Sequence, residues 1–149
     1  MRTYGSERGV AIQVRRFSGT TRTAADAARE IGCDVHAIVK SLAFIADGQV
    51  AIALCSGADR VDEPRLAAFL GAASVRRATA DETKRHTGYA IGGVPPFGHE
   101  MPCRVVADER LLALDEVWAA AGLPDAVFPI TPAELVRVSG AEVVSIAAA

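Results

Sequence analysis

A glycine- and proline-rich segment, residues 87–99, reads Thr-Gly-Tyr-Ala-Ile-Gly-Gly-Val-Pro-Pro-Phe-Gly-His and has the residue types of a ligand-binding loop. Proline has no backbone N–H and glycine loses the most entropy on ordering, so the segment makes a poor helix and a poor strand. Gly92 and Gly93 let a ligand approach backbone N–H groups closely, while Pro95 and Pro96 hold the chain extended. The pattern predicts a rigid loop with exposed backbone donors, although a plain connector has the same composition.

Two ionisable side chains could add chemistry to this loop. The chain has 14 arginines but only two lysines, Lys40 and Lys84, so a lysine is more informative here than usual. Lys40 begins an apolar run, where its compact ammonium could hold a phosphate or a carbonyl oxygen. A lysine at a strand end is also typical of a side chain that only reaches water. His99 either closes the loop or acts as an acid or a base.

Other catalytic motifs are missing from the sequence. The three histidines show neither HExxH nor another recognised metal spacing, so we expect no metal site. There is no GxSxG elbow for an activated serine and no GxxxxGKS phosphate loop. The three cysteines are an odd number without CxxC spacing, which argues against a disulfide framework and is typical of a reducing cytosol.

Length and composition indicate one compact domain over residues 1–149, because half of the residues are hydrophobic and can form a core. The formal net charge of -2 excludes a broadly basic surface that binds nucleic acid without preference. Any contact with a polyanion must therefore be local. The basic residues near the loop could make such a contact with a backbone phosphate, or they could simply form a solvated face. These residues are Arg76, Arg77, Lys84 and Arg85. No apolar run approaches the ~20 residues that span a bilayer, so we expect a cytoplasmic protein.

The elements that must position these residues follow from local patterns. The Asp47-Gly48 pair between two apolar runs is the strongest hairpin signal in the chain. Predicted strands cover residues 10–17, 40–46, 49–55, 75–77, 103–107, 127–130 and 143–146. Predicted helices cover residues 24–31 and 64–70, the segment from the Thr79 cap to Gly88, and the segment from the Thr131 cap to Gly140, with a short helical turn after Asp34. Residues 1–9 are expected to be frayed, residues 18–22 to form a turn, and residues 111–121 to be either helix or strand. The irregular order favours a mixed α/β sheet surrounded by helices.

Several motifs occur together in the order and spacing of one known family. They are Thr21-Arg22-Thr23-Ala24-Ala25, Ile38-Val39-Lys40-Ser41-Leu42-Ala43-Phe44, Ser56-Gly57, Thr87-Gly88-Tyr89, Gly92-Gly93-Val94-Pro95-Pro96-Phe97-Gly98-His99 and Thr131-Pro132-Ala133-Glu134-Leu135. On these motifs the chain closely resembles the YbaK family of freestanding editing domains, which is related to the insertion domain of bacterial prolyl-tRNA synthetases. The similarity extends from about residue 10 to residue 146.

The resemblance implies a mixed, antiparallel-rich α/β fold and a deacylase that hydrolyses the ester of mischarged tRNA without a metal or an organic cofactor. It implies that Lys40 is the residue most closely tied to activity and that the loop from Gly92 to Gly98 lines the acceptor end of the tRNA. The sequence departs from the family in one respect: the N-terminal helix common in the family is expected to be shortened or missing before Val10. The substrate-binding residues expected from the motifs are Thr23, Ser56, Gly57, Val94, Pro95, Pro96, Phe97, Gly98 and His99.

An aminoacyl ester is already activated, so its hydrolysis requires mainly a placed water and donors for the developing oxyanion. Our hypothesis is that the N–H groups of Gly92 and Gly93 polarise the carbonyl while Lys40 holds a phosphate or the ester oxygen. A non-catalytic module that binds tRNA or a synthetase, and a hydrolase of small esters, remain alternatives. The sequence leaves open whether alanine, serine, threonine or cysteine is removed, and whether a synthetase or an elongation factor delivers the tRNA.

Overall fold

The computed structural model describes residues 1–17 and 23–148, in which short helices surround a mixed β-sheet. The strands are β1 (Arg15–Arg16), β2 (Ile38–Ala46), β3 (Gln49–Ser56), β4 (Val75–Arg77), β5 (Arg104–Asp108), β6 (Val117–Ala120), β7 (Ala126–Ile130) and β8 (Glu142–Val144). The α-helices are α1 (Arg2–Glu7), α2 (Ala24–Ile31), α3 (Glu63–Leu70), α4 (Ala80–Thr87) and α5 (Pro132–Ser139), and 3-10 turns cover Val35–Ala37 and Glu109–Ala113.

The sheet has the order β1-β7-β6-β2-β3-β5-β8, and β4 also pairs with β2. The β2–β3, β2–β4, β6–β7 and β1–β7 pairs are antiparallel, whereas β2–β6, β3–β5 and β5–β8 are parallel. The hairpin signal is confirmed, because Asp47 and Gly48 both have positive φ, 48° and 84°, as a two-residue turn between twisted strands requires. The predicted mixed α/β class is therefore confirmed.

One side of β2 is only partly paired, and this feature positions the candidate site. On the side away from β3, β6 pairs with Ile38 and Val39, and β4 pairs with residues 44–46. Within the described chain, no strand continues the ladder along residues 40–43 on that side, although the Ala43 carbonyl accepts a hydrogen bond from the Ala78 N–H at 2.9 Å. The sheet is therefore open at the middle of β2, where Lys40 lies.

Successive residues of β2 point to opposite faces of the sheet. Val39, Ala43 and Ile45 lie in the main core, together with Phe97 and Phe128. Phe44 lies in a second cluster on the other face, with Leu66 of α3. The central strands are thus covered on both faces, as their continuous apolar runs predict.

The predicted helix ends are confirmed by their caps. Four side chains accept a hydrogen bond from a backbone N–H of the first turn of α2, α3, α4 and α5; they are Thr23, Asp62, Thr79 and Thr131. Each of these helices ends at a glycine in the left-handed conformation. These ends formed as predicted because the signals are local and do not depend on the rest of the fold.

The expectation for the N-terminus is wrong in two respects. Residues 1–9 are not frayed throughout, because residues 2–7 form α1 and Tyr4 stacks on Phe97 with ring centroids 5.7 Å apart. Residues 10–14 show the predicted alternation of exposure, but only Arg15 and Arg16 pair with β7. The alternation arises because every second side chain packs on the core, without a strand partner. The predicted turn at residues 18–22 lies outside the described residues.

Towards the C-terminus, the ambiguous segment 111–121 divides into two elements. A 3-10 turn covers Glu109–Ala113, and β6 follows at Val117–Ala120. The last strand, predicted at residues 143–146, is β8 at Glu142–Val144. The buried Asp108 carboxylate fixes the chain after β8, because it accepts hydrogen bonds from the N–H groups of Ile146 and Ala147, both at 3.0 Å. Among the described residues, none of the helices has the length and apolar character needed to cross a membrane.

The Glu82 side chain makes three hydrogen bonds, of which two join α4 to β4 and one caps α4. Its carboxylate accepts from the Thr79 N–H at 2.9 Å and from the Arg76 guanidinium at 2.7 and 2.8 Å. The Arg76 side chain is the main cause that lowers the pKa of Glu82 from 4.5 to about 2. The pKa of Glu82 is therefore lower in the folded protein than in the unfolded chain. For this reason the ionised Glu82 carboxylate stabilises the fold above pH 4.5. This contribution is lost as the pH falls towards 2.

We expect Glu82→Gln to lower stability at neutral pH and to flatten the loss of stability as the pH falls from 4.5 to 2. Urea unfolding midpoints across this range measure both effects. Asp81→Asn, in the same helical turn, is the control for the loss of one negative charge. If Glu82→Gln kept the wild-type dependence of stability on pH, Glu82 would not be the cause of that dependence.

Candidate functional site

A cavity of about 560 Å³ lies at the open part of β2. Its volume is within the range of roughly 300–1,000 Å³ that is usual for small-molecule sites. Lys40, Gly92, Arg77 and Trp118 contribute to its wall, so the cavity brings the lysine and the glycine loop together. The other described lining residues are Thr23, Ala24, Ala27, Ile38, Val39, Ser41, Leu42, Ala43, Thr83, Ile91, Val94, Ala120, Pro124, Ala126 and Val127.

The cavity is apolar but carries positive charge. Lys40 and Arg77 are the two cations of the described lining, which contains no carboxylate. This local charge differs in sign from the net charge of the whole chain, which is -2. The cavity can therefore attract an anionic group, although the protein as a whole is acidic.

The Lys40 ammonium is held at the cavity wall by the backbone. Lys40 Nζ donates a hydrogen bond to the carbonyl oxygen of Asp59, and the Asp59 carboxylate pairs with Arg110 at 3.2 Å. An ammonium has three N–H donors, so this contact leaves donors for a ligand. Cys55, opposite Lys40 on β3, has its thiol pKa raised by burial to about 11, so it stays protonated and is not a nucleophile at neutral pH.

Ser56 and Gly57 form the turn that presents the Asp59 carbonyl to Lys40. Ser56 Oγ donates to the His36 carbonyl at 2.9 Å, and the Gly57 N–H donates to the Ile38 carbonyl at 2.6 Å. A Cβ on Gly57 would lie 2.7 Å from the Cβ of Ala24, so only glycine fits there. Both residues lie outside the described lining of the cavity. In this structure they support Lys40 rather than face the space that a ligand would enter.

The two glycines of the loop have different environments. Gly92 is exposed, has a φ of 87° and occupies a turn closed by the Gly93 N–H, which donates to the Ala90 carbonyl at 2.9 Å. The Gly93 N–H is therefore engaged within the loop in this structure, so the hypothesis that it polarises a carbonyl gains no support from its geometry. The Gly92 N–H has no acceptor among the described residues. The Gly92 N–H is thus a backbone donor of this loop that is available to a ligand.

The rest of the loop is anchored in the core. Residues 93–97 are buried, and Phe97 is only 2% exposed. Val94 reaches the cavity wall, but Pro95, Pro96, Phe97, Gly98 and His99 lie outside its described lining. Phe97 packs between Tyr4 and Phe128 because the loop folds back onto the sheet.

His99 closes the loop. Its Nε2 lies 2.7 Å from the Pro95 carbonyl oxygen, so Nε2 carries a hydrogen and donates a hydrogen bond to that oxygen. Burial lowers the pKa of His99, which favours the neutral ring near neutral pH. Of the two roles considered for His99, this geometry fits loop closure.

Ser41 and Trp118 line the cavity but were not identified from the sequence, which placed Arg77 only among the four basic residues near the loop. Ser41 Oγ is buried and has no hydrogen-bond partner among the described residues, so it is a polar group that a ligand could satisfy. Alternation along β2 places Ser41 on the opposite face from Lys40, and both reach the cavity only because the sheet is open there. No local pattern indicates such a gap. The described residues contain no group of three or more His, Cys, Asp or Glu side chains that could hold a metal ion.

Comparisons with known proteins identify the family. The sequence profile of the aminoacyl-tRNA editing domain matches residues 19–138. The chain is 30% identical to the uncharacterised protein YwhH of Bacillus subtilis, over 96% of this chain and 91% of that protein. It is 40% identical to a proline–tRNA ligase of Lactobacillus gasseri over 59% of this chain, a segment that makes up only 16% of the ligase.

A solved structure described as a candidate trans-editing enzyme for prolyl tRNA synthetase is also similar. It has a TM-score of 0.94 and 40% sequence identity, and the match covers 99% of this chain and 94% of that one. The profile match spans most of the sequence and the structural match spans nearly all of it. The chain therefore belongs to the aminoacyl-tRNA editing domain family.

Proposed function

We propose that this protein is a deacylase that hydrolyses the ester bond of mischarged tRNA in trans, with the reaction taking place in the cavity beside β2. The observation that carries this proposal is the cavity shared by Lys40 and Gly92, in a chain of the editing-domain family. An acylated ribose presents a neutral ester next to phosphates, and the cavity offers an apolar wall with two cations.

In the proposed reaction, the Gly92 N–H donates to the acyl carbonyl and stabilises the negative charge that develops on its oxygen. Lys40, one donor of which is bound to Asp59, uses another donor to hold the ester oxygen or a phosphate. The ribose hydroxyl beside the ester orients the attacking water. Water adds to the acyl carbon, the bond from this carbon to the ribose oxygen breaks, and that oxygen takes up a proton. The products are a free amino acid and an uncharged tRNA.

The substrate class follows from the relatives and from the cavity. The match to proline–tRNA ligases supports a tRNA that accepts proline, charged in error with another amino acid. An apolar pocket separates side chains that differ by one methylene by only about 1–3 kcal/mol, so the amino acid must be found by experiment. Because the chain is acidic, we expect modest affinity for free tRNA with strong salt dependence, and delivery by a synthetase or an elongation factor.

Incubation with a panel of charged tRNAs tests the proposed function. The panel contains the proline-accepting tRNA charged with alanine, serine, threonine, cysteine or proline, together with an aminoacylated adenosine and a simple amino acid ester. We expect the protein to release at least one incorrect amino acid faster than the uncatalysed rate. Binding without release would indicate the non-catalytic module, and cleavage of only the simple ester would indicate a small-ester hydrolase.

Gly93→Ala tests the position of the loop. A Cβ on Gly93 would lie 3.0 Å from the Leu123 Cα and 3.1 Å from the Gly122 carbonyl oxygen, both backbone atoms that cannot rotate away. The loop must shift, so we expect a roughly tenfold lower kcat/KM and a loss of stability of about 1–2 kcal/mol. Steady-state deacylation and urea unfolding measure the two effects.

Gly140→Ala is the control for a destabilising glycine substitution elsewhere, because Gly140 has a positive φ and ends α5 outside the described lining of the cavity. It should destabilise by about 1 kcal/mol and leave turnover unchanged. If Gly93→Ala turned over substrate at the wild-type rate, the exact placement of the loop would not matter for the reaction.

A further inference from the structure

We propose that Arg77 binds a backbone phosphate near the 3′ end of the tRNA and so fixes the acceptor strand in the cavity. The inference rests on the proposed function, because it assigns a partner contact at the same site. It concerns a residue that the motifs of the family did not single out.

The first observation is a contrast between two neighbouring arginines on β4. The Arg76 guanidinium is taken up by the Glu82 carboxylate at 2.7 and 2.8 Å. Arg77 is exposed, lines the cavity and has no carboxylate partner among the described residues. Arg76 therefore has a structural role in joining β4 to α4, whereas the charge of Arg77 is available to a ligand.

The second observation is how Arg77 is placed. It lies opposite Phe44 in the β2–β4 pair, and its guanidinium carbon is 5.6 Å from the centroid of the Phe44 ring. A cation over an aromatic face is weakly attracted to it, which favours a side-chain position beside the cavity wall. Pairing of β4 needs only backbone groups at this position, so the fold itself does not require a charged side chain there.

The third observation is the chemistry of the cavity. The remaining described lining is apolar or uncharged apart from Lys40, and it suits the acyl group, the ribose and the base. The anionic groups of an acylated tRNA end are its backbone phosphates. A guanidinium has a planar array of donors that matches phosphate oxygens in pairs, so phosphate is the group that Arg77 is best suited to bind.

Arg77 and Lys40 contact different parts of one ligand. Phe44, the cross-strand partner of Arg77, lies four residues from Lys40 along β2, or about 13 Å at the usual rise of a strand. This backbone spacing places the two cations at opposite ends of the open stretch, so each is suited to a different group of an extended ligand. With Lys40 beside the ester, Arg77 is the contact for the strand that leads away from it.

A thermodynamic cycle that combines one protein substitution with one RNA modification tests the proposal through binding measurements alone. The first probe is an RNA hairpin that carries no amino acid and ends in single-stranded CCA. The second probe is the same hairpin with electrically neutral methylphosphonates in place of the phosphates at the last two linkages. We expect Arg77→Gln to weaken binding of the phosphodiester hairpin about tenfold and to lower the slope of log K against log salt by about 0.7–1. The same substitution should leave binding of the methylphosphonate hairpin unchanged.

Arg85→Gln is the matched control, because Arg85 is an exposed arginine on α4 outside the described lining of the cavity. It should affect both hairpins equally. The proposal is overturned if Arg77→Gln weakens both hairpins equally or neither, or if the wild-type protein does not distinguish them. The binding test does not depend on hydrolysis. If Arg77→Gln weakens binding of the phosphodiester hairpin alone and the protein releases no amino acid, only the deacylase function is refuted. If the protein is an active deacylase but Arg77→Gln does not weaken the phosphodiester hairpin selectively, only the role of Arg77 is refuted.

Discussion

Replacing Lys40 by alanine should lower the rate of deacylation of a susceptible mischarged tRNA by about 10²- to 10³-fold, the usual cost of removing a charge-stabilising donor from an active site. The physical reason is that the ammonium holds the ester oxygen or a phosphate in the proposed reaction. The fold should remain intact, because the Lys40 side chain makes one hydrogen bond to the described part of the chain, at the edge of the cavity. Single-turnover release of the amino acid measures the loss, and the unfolding midpoint checks the fold.

Two further lysine variants make this result specific. Lys40→Arg keeps the charge but replaces a compact ammonium by a planar guanidinium, so we expect it to restore little of the activity. Lys84→Ala removes the other lysine of the chain, which donates to the Gly88 carbonyl at 3.0 Å outside the described cavity lining, and it should leave the rate unchanged. Wild-type activity in Lys40→Ala would remove this residue from the mechanism.

Replacing Phe97 by alanine should lower the free energy of unfolding by about 3–5 kcal/mol. Phe97 is 2% exposed, stacks on Tyr4 at 5.7 Å and meets Phe128 edge-on at 5.8 Å, so its removal leaves a cavity in the main core. Folded domains are stable by only about 5–15 kcal/mol, so this single change brings the protein close to unfolding. Urea unfolding followed by circular dichroism measures the loss.

Phe97→Leu separates a core role from a substrate contact. Leucine fills much of the same space, so we expect a loss of stability of about 1–1.5 kcal/mol and an unchanged KM for mischarged tRNA. A raised KM with little loss of stability would return Phe97 to the group of substrate-binding residues that the family motif predicts.

The elements with local signals were predictable from the sequence. The Asp47-Gly48 turn sets the β2–β3 hairpin, and caps such as Thr79 set the helix starts, because each signal acts within a few residues. Helix α1 could not be predicted in this way. Its side chains make no cap hydrogen bond and it contains Gly5, and it is packed against the core by Tyr4, a contact with residues far away in sequence.

The candidate site was predictable only in part. Lys40 and Gly92 followed from their residue types and from the family motif, and the structure brings both to one cavity. The cavity itself depends on which residues of β2 pair with β4 and β6, and these registers join segments that are distant in sequence. For this reason no sequence pattern identified Ser41 or distinguished Arg77 from the other basic residues near the loop, and the engaged N–H of Gly93 was visible only in the structure.

The most direct test of the account is a structure of the protein with an adenosine that carries an amino acid through a 3′ amide, which cannot be hydrolysed as an ester. We expect the acyl carbonyl oxygen within hydrogen-bond distance of the Gly92 N–H, with Lys40 Nζ contacting the ligand. A ligand bound away from the cavity beside β2, or bound there with Lys40 and Gly92 both out of reach, would contradict the proposed active site.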